Sequence, residues 1–188
     1  NMTIFSAVKR IAVLGSGNGS NFEALHSEFG DQICLVISDR PGSGILKKAE
    51  AVGVSAITEK SGPELNARIL ARLQDIDLVC LAGFMRMVKE PFLSAFEKRI
   101  LNIHPSLLPR FPGQEAWKQA LDAGEGETGC TVHFVDAGID TGEMILQERV
   151  PILENDTAES LHRRIQQAEH RIYPEALRRV IATLPHES

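Results

Sequence analysis

The sequence predicts a doubly wound α/β domain built on a mainly parallel sheet. Three observations carry this expectation. Short apolar runs alternate with stretches of helical periodicity, a glycine-rich loop follows the first such run, and two β-rich runs joined by a short turn lie in the C-terminal half. Strands alternating with helices form parallel sheets with right-handed crossovers, whereas two strands joined by a short loop pair antiparallel.

Ile11, Ala12, Val13 and Leu14 form a continuous apolar run, as a strand buried on both faces should. The run enters Gly15-Ser16-Gly17-Asn18-Gly19-Ser20-Asn21, after which Phe22, Leu25 and Phe29 recur at helical spacing. Strand, glycine loop and helix together present bare backbone N–H groups and a helix N-terminus to an anion. Three glycines in five positions exceed what a tight turn capped by Ser20 or Asn21 requires.

Residues 33–37 form the second strand, which ends at Ser38-Asp39-Arg40-Pro41-Gly42. Ile45, Leu46, Ala49 and Val52 mark the next helix, and residues 54–57 the third strand. Gly62-Pro63 opens a helix carrying Leu65, Ile69 and Leu73, and residues 78–81 are the fourth strand, running into Ala82-Gly83-Phe84-Met85-Arg86-Met87-Val88. A shorter connection over residues 91–96 leads to a fifth strand at 99–103.

That strand opens the most informative stretch, Leu101-Asn102-Ile103-His104-Pro105-Ser106-Leu107-Leu108-Pro109-Arg110-Phe111-Pro112-Gly113. Pro105 cannot donate to a central ladder, so the strand should stop at His104. Residues two apart share a strand face, which projects Asn102 and His104 together. One is an amide able to donate to a developing oxyanion, and the other titrates near neutral pH. The pair suits acid–base chemistry on a carbonyl.

Trp117, Ala120 and Leu121 mark a further helix. Residues 128–135 and 143–150 are the β-rich runs, expected as an antiparallel pair at one side of the sheet. Asp156 with Glu159 offers a capping box for a last helix striped by Leu161, Ile165, Ala168 and Ile172, and Pro174 should kink or break it near Tyr173. No repeat or linker divides the chain, so residues 1–188 are expected as a single domain, and Asn1 before Met2 points to Met2 as the natural start.

At 43% hydrophobic residues, a chain of this length can bury a substantial core, and a net charge of −5 argues against nucleic acid or acidic membranes as general partners. Cys34, Cys80 and Cys130 lie far apart in strand-like runs, without metal-binding spacing, and read as reduced core thiols in a cytoplasmic protein. No run approaches the roughly 18 apolar residues of a membrane span. Oligomeric state is left open.

Four motifs together resemble the glycinamide ribonucleotide transformylases, folate-dependent formyltransferases with a Rossmann-like fold. They are Gly17-Asn18-Gly19-Ser20-Asn21, Leu81-Ala82-Gly83-Phe84-Met85-Arg86, Asn102-Ile103-His104-Pro105-Ser106-Leu107-Leu108-Pro109 and Asp140-Thr141-Gly142. The resemblance runs from Arg10 to about Leu177. It implies formyl transfer from 10-formyltetrahydrofolate, as co-substrate and without a metal, to the amine of 5-phosphoribosylglycinamide in purine synthesis. It further implies Asn102, His104 and Asp140 as the catalytic set, with the Asp140 carboxylate orienting the His104 ring and favouring its charged form.

By the same resemblance, Gly19, Ser20 and Asn21 would hold the ribonucleotide phosphate, with Gln166, Gln167, Ala168 and Glu169 near its sugar or amine. Met85, Arg86, Met87 and Val88, together with Asp136, Ala137, Gly138, Ile139 and Asp140, would line the pterin pocket beside Asn102. Met85 and Met87 are equally ordinary as core residues. His133, inside a strand, is read as a satisfied structural histidine. His26, His162, His170 and His186 give no signal of their own.

Two positions depart from the family pattern. Gln114-Glu115-Ala116-Trp117 stands where many members have Leu-His-Thr-His, and Lys60 stands where an arginine commonly meets the folate glutamate tail. Lysine keeps the charge but not the bidentate fork.

Two alternatives remain at this level. One is a formyltransferase acting on another amine, such as an amino sugar. The other is a non-catalytic dinucleotide-binding module, in which Gly15-x-Gly17 and Asp39, about 20 residues on, would imitate a Rossmann fingerprint with Ser20 in place of its third glycine.

Overall fold

The computed structural model describes residues 9–185; Asn1, Met2 and His186 lie outside the described residues. Seven strands form one sheet in the order β3-β2-β1-β4-β5-β6-β7. They are β1 (Ile11–Leu14), β2 (Ile33–Ser38), β3 (Ser55–Thr58), β4 (Leu78–Leu81), β5 (Ile100–His104), β6 (Glu127–Phe134) and β7 (Met144–Pro151). The first five are mutually parallel, and the helices between them supply the crossovers such pairing needs.

β6 runs antiparallel to β5 as well as to β7. The expected antiparallel pair is therefore present, and its inner member is also joined to the parallel sheet in reverse. Chain order leaves β1 for β2 and β3 on one side and returns to β4 on the other. This makes the carboxyl end of β1 and β4 a topological switch point, where open α/β sheets bind ligands.

The helices are α1 (Ser20–Phe29), α2 (Gly44–Ala51), α3 (Leu65–Ala71), α4 (Phe92–Ala95), α5 (Ala116–Asp122) and α6 (Ala158–Thr183). β1 shows how the core divides. Ile11 and Val13 pack with Phe22, Leu25, Ile45, Ile165 and Tyr173 on the face covered by α1, α2, α5 and α6. Ala12 and Leu14 pack with Leu65, Ile69, Phe92 and Phe96 under α3 and α4. The two-residue period of a strand feeds both layers, so the run must be apolar throughout.

α6 departs from expectation twice. Its cap is Thr157 rather than Asp156. Thr157 Oγ1 accepts from Ser160 N at 3.1 Å, and Ser160 Oγ accepts from Thr157 N at 2.9 Å. Asp156, one residue outside, instead takes both guanidinium nitrogens of Arg164, at 2.7 and 2.8 Å, which hold its carboxylate far below the usual range.

The helix also continues through Pro174. Proline removes one backbone hydrogen bond, but Tyr173, Pro174, Ala176 and Leu177 are all buried against the sheet. The Tyr173 hydroxyl sits 2.7 Å from the Leu81 carbonyl, at the end of β4, and 3.2 Å from that of Leu101 in β5. Packing along this stripe outweighs the local preference to stop.

Cys80 and Cys130 are buried and Cys34 is half-buried, all as free thiols; burial pushes the Cys80 thiol up to about 12. No described helix is long and apolar enough to cross a membrane.

Candidate active site

β1, β4 and β5 are adjacent and parallel, so the loops that follow them emerge at one edge. Gly19, Met85 and His104 belong to those loops or end those strands, and strand spacing puts β1 and β5 about 10 Å apart.

At the end of β5, Asn102 and His104 share a face. Asn102 is the cross-strand partner of His133 on β6, and His104 that of Thr131. Pro105 ends the strand, and the turn over residues 105–113 folds back over it. Ser106 Oγ donates to the Arg110 carbonyl at 2.6 Å, and Thr131 Oγ1 donates to the Ser106 carbonyl at 2.7 Å. The fold-back brings the Phe111 carbonyl to 2.8 Å from His104 Nε2. A carbonyl can only accept, so Nε2 carries a proton.

On the other side of the ring, Nδ1 lies 3.4 Å from Asp140 Oδ2. Each ring nitrogen thus faces an acceptor. That arrangement suits an imidazole able to carry two protons. Asp140 itself is held by Gly113 N–H, which donates to Oδ2 at 2.9 Å. Its loop is shaped by Asp136, whose Oδ1 accepts from Thr141 Oγ1 at 2.6 Å and from Gly138 N at 2.9 Å. Those two bonds draw the Asp136 carboxyl below its ordinary range. The loop closes at Gly142, where any Cβ would overlap the Phe134 carbonyl.

His133 belongs to this cluster, which the sequence reading did not anticipate. Its Nδ1–H donates to the Phe134 carbonyl at 2.8 Å, Nε2 lies 3.4 Å from Asn102 Nδ2, and Asp140 Oδ1 is 3.7 Å away. Burial lowers its pKa, against the pull of the Phe134 carbonyl and Asp140. A neutral ring with its proton on Nδ1 leaves Nε2 to accept from Asn102, so His133 aims the amide. The hydrogen-bond needs of this histidine are met, as expected of a structural one, yet they are met by the candidate site itself. The only signal available in the sequence is the alternation that puts Thr131 and His133 on one face of β6. The register that sets them opposite β5 is a tertiary fact.

The glycine loop leaves the N-terminus of α1 without a side-chain cap. Gly19 occupies the cap position of α1 at φ 81°, rather than Ser20 or Asn21, and no side chain caps the helix. Asn18 Oδ1 instead accepts from Ser20 N at 3.1 Å. A Cβ at Gly19 would sit 2.8 Å from Ile45 Cα. Asn21 Nδ2 donates at 3.0 Å to Oε1 of Glu169, whose carboxyl burial pushes up to about 7. Asn21 Oδ1 is buried without a protein partner. Of the other α6 positions, Gln166 is half-buried, Gln167 exposed and Ala168 in the core, so Glu169 is the one bonded to the glycine loop.

In the loop after β4, Met85 and Met87 are 55% and 45% exposed, which excludes a core role, whereas Val88 is buried under α3 and α4. Ala137, Gly138 and Ile139 are exposed, with Asp140 turned inward. Lys60 is also exposed, past β3 at the far edge, four strand spacings or roughly 19 Å from β5. Gln114 and Glu115 are exposed, while Trp117 stacks on His162 with ring centroids 3.7 Å apart. Among the described residues no group of His, Cys, Asp and Glu has the arrangement of a metal site.

The fold is that of a doubly wound α/β protein with Asn102, His104, His133 and Asp140 clustered at the end of β5. The pattern of the formyl transferase family matches residues 9–177, and the chain belongs to that family. It is 38% identical to a phosphoribosylglycinamide formyltransferase of Bacillus subtilis, over 93% of this chain and 95% of that protein. It is 46% identical to the trifunctional purine biosynthetic protein adenosine-3 of Drosophila melanogaster, of whose length it spans only 14%. The crystal structure of glycinamide ribonucleotide transformylase 1 from Symbiobacterium toebii superimposes with a TM-score of 0.92 at 47% identity, covering 100% of this chain and 95% of that one.

Proposed function

We propose that this chain, acting as one domain over residues 1–188, transfers a formyl group from 10-formyltetrahydrofolate to the amine of 5-phosphoribosylglycinamide. The observation that carries the reading is the approach of the Asp140 carboxylate to His104, beside an amide already aimed by His133. Relatives along the whole chain bear names for this reaction. A cytoplasmic location and small-molecule partners go with it.

In the reaction, the amine nitrogen attacks the formyl carbon, a C–N bond forms, and charge moves onto the formyl oxygen. One N–H of Asn102 is engaged by His133, and the other is available to that oxygen. Preorganised donors of this kind are worth about 3–4 kcal/mol in the transition state. The attacking nitrogen must lose a proton and the departing folate nitrogen must gain one. His104 is the group suited to carry it. The 3.4 Å between His104 Nδ1 and Asp140 Oδ2 is long for a charge-assisted hydrogen bond, and it leaves room to tighten when substrates arrive.

The glycine loop would take the phosphate on its N–H groups, with Glu169 beside the sugar or amine. The loops after β4 and β6 would hold the pterin. Lys60 would meet the glutamate tail well away from the chemistry.

The dinucleotide reading needs a free carboxylate at the end of β2. Asp39 is instead buried and taken up by Ser16 and Arg86. The test is a formylation assay with phosphoribosylglycinamide, with an amino sugar as competing acceptor and a nicotinamide cofactor as binding control. Formylation of the amino sugar alone, or tight cofactor binding without formylation, would overturn the proposal.

A further inference from the structure

We propose that Asp39 is a positioning residue that ties the loop after β4 to the loop after β1 and thereby holds the folate-side loop in its receptive shape. What the loop receives rests on the formyl-transfer reading above; the tether itself does not.

The Asp39 side chain is fully buried at the end of β2. Ser16 Oγ donates to its Oδ1 at 2.5 Å, and Arg86 Nε donates to its Oδ2 at 2.8 Å. The same Ser16 oxygen accepts from Met85 N at 2.9 Å, while Ser16 N donates to the Gly83 carbonyl at 3.1 Å. Ser16 has one hydroxyl proton. Once it is committed to Asp39, the oxygen's lone pairs face Met85, and each bond polarises the next.

Met85 and Arg86, the residues nearest Ser16, are exposed. The loop's other anchors lie to either side of them: Phe84 and Val88 pack under α3 and α4, and Asn66 donates to the Met87 carbonyl at 3.4 Å and accepts from Lys89 N at 2.9 Å. Burial alone would raise the Asp39 carboxyl, but the bonds from Ser16 and Arg86 prevail and hold it low, so the carboxylate remains the acceptor both partners need. The tether joins the two loops that would carry the two substrates, across the switch point of the sheet.

The test compares wild type with Asp39→Asn, which keeps the volume, and with Asp39→Ala and Ser16→Ala. Three quantities are read: exchange of the Met85 amide proton by NMR, tetrahydrofolate affinity by calorimetry, and the KM of each substrate. The expected result is faster Met85 exchange in every variant and tetrahydrofolate binding weakened roughly tenfold. Folate KM rises in parallel, and by more than the ribonucleotide KM. The Ser16→Ala/Asp39→Ala pair should be far from additive, as expected of one connected chain.

Unchanged Met85 exchange in Asp39→Asn and Asp39→Ala overturns the tether. Equal losses for both substrates reduce Asp39 to general support of the fold, and a wild type that does not bind tetrahydrofolate also overturns the proposal. If wild type binds tetrahydrofolate yet does not formylate phosphoribosylglycinamide, the substrate reading falls, and exchange and calorimetry still decide the tether.

Discussion

Oδ2 of Asp140 lies 3.4 Å from Nδ1 of His104, and Asp140 reaches it from the left-handed region of backbone space, at φ 54°. Aspartate and asparagine tolerate that region better than other residues with a Cβ. Asp140→Asn should therefore keep the wild-type melting temperature and lose turnover, because only the charge is removed. His104→Ala should lower turnover by ~10²–10⁴-fold with little change in KM. Asp140→Ala should lose turnover and some stability together, its backbone being less at ease. Steady-state kinetics beside thermal melts check all three, and wild-type turnover in Asp140→Asn would falsify the role given to the carboxylate.

His133 makes a separate prediction. His133→Phe removes the acceptor that aims Asn102 and should lower kcat by about tenfold, leaving folate affinity near wild type. The substitution also alters the response to acid. Burial depresses the His133 pKa below its ordinary 6.5, so the unfolded chain takes up the proton first. Its contribution is fully present above pH 6.5 and is lost as pH falls below that value. Denaturant midpoints measured between pH 8 and pH 5 should fall more steeply for wild type than for His133→Phe.

The glycines of the first loop should behave differently from one another. A Cβ at Gly17 meets nothing within 4 Å, whereas at Gly19 it would press on Ile45 with the backbone at φ 81°. Gly17→Ala should fold as wild type. Gly19→Ala should cost at least ~1–2 kcal/mol from the left-handed backbone alone. It should also weaken ribonucleotide binding more than folate binding, since it distorts the N-terminus of α1. Melts and separate titrations with the two ligands decide this, and equal loss for both would make the loop purely structural.

Glu169 is predicted to trade stability against binding. Its carboxyl is raised to about 7 in the folded protein from an ordinary 4.5. The folded state therefore holds the proton more tightly than the unfolded chain, and stability declines as pH rises from 4.5 through 7. The gap corresponds to about 3 kcal/mol at most. Glu169→Gln retains an oxygen to accept from Asn21 and sheds the buried charge. It should be more stable than wild type at pH 8, little different at pH 5, and weaker in ribonucleotide binding. A variant no more stable at pH 8 would show that the carboxylate is well solvated where it sits.

The order of strands and helices, the parallel pairing of the first five strands, the glycine loop and the shared face of Asn102 and His104 were all legible in the amino-acid sequence. These rest on short-range rules: apolar period, the missing N–H of Pro105, and the backbone freedom of glycine. Three other features depended on how the folded chain packs. His133 entered the cluster because the antiparallel β5–β6 register sets it opposite Asn102, and strand alternation specifies faces without specifying partners. Asp39 became a tether because Ser16 and Arg86, distant in sequence, converge on it. α6 ran through Pro174 because a long buried stripe outweighs one lost hydrogen bond. At Pro174 a local preference worth about 3 kcal/mol met non-local packing of equal or greater size, and that balance, like the strand register and the convergence on Asp39, is settled only when the chain is folded.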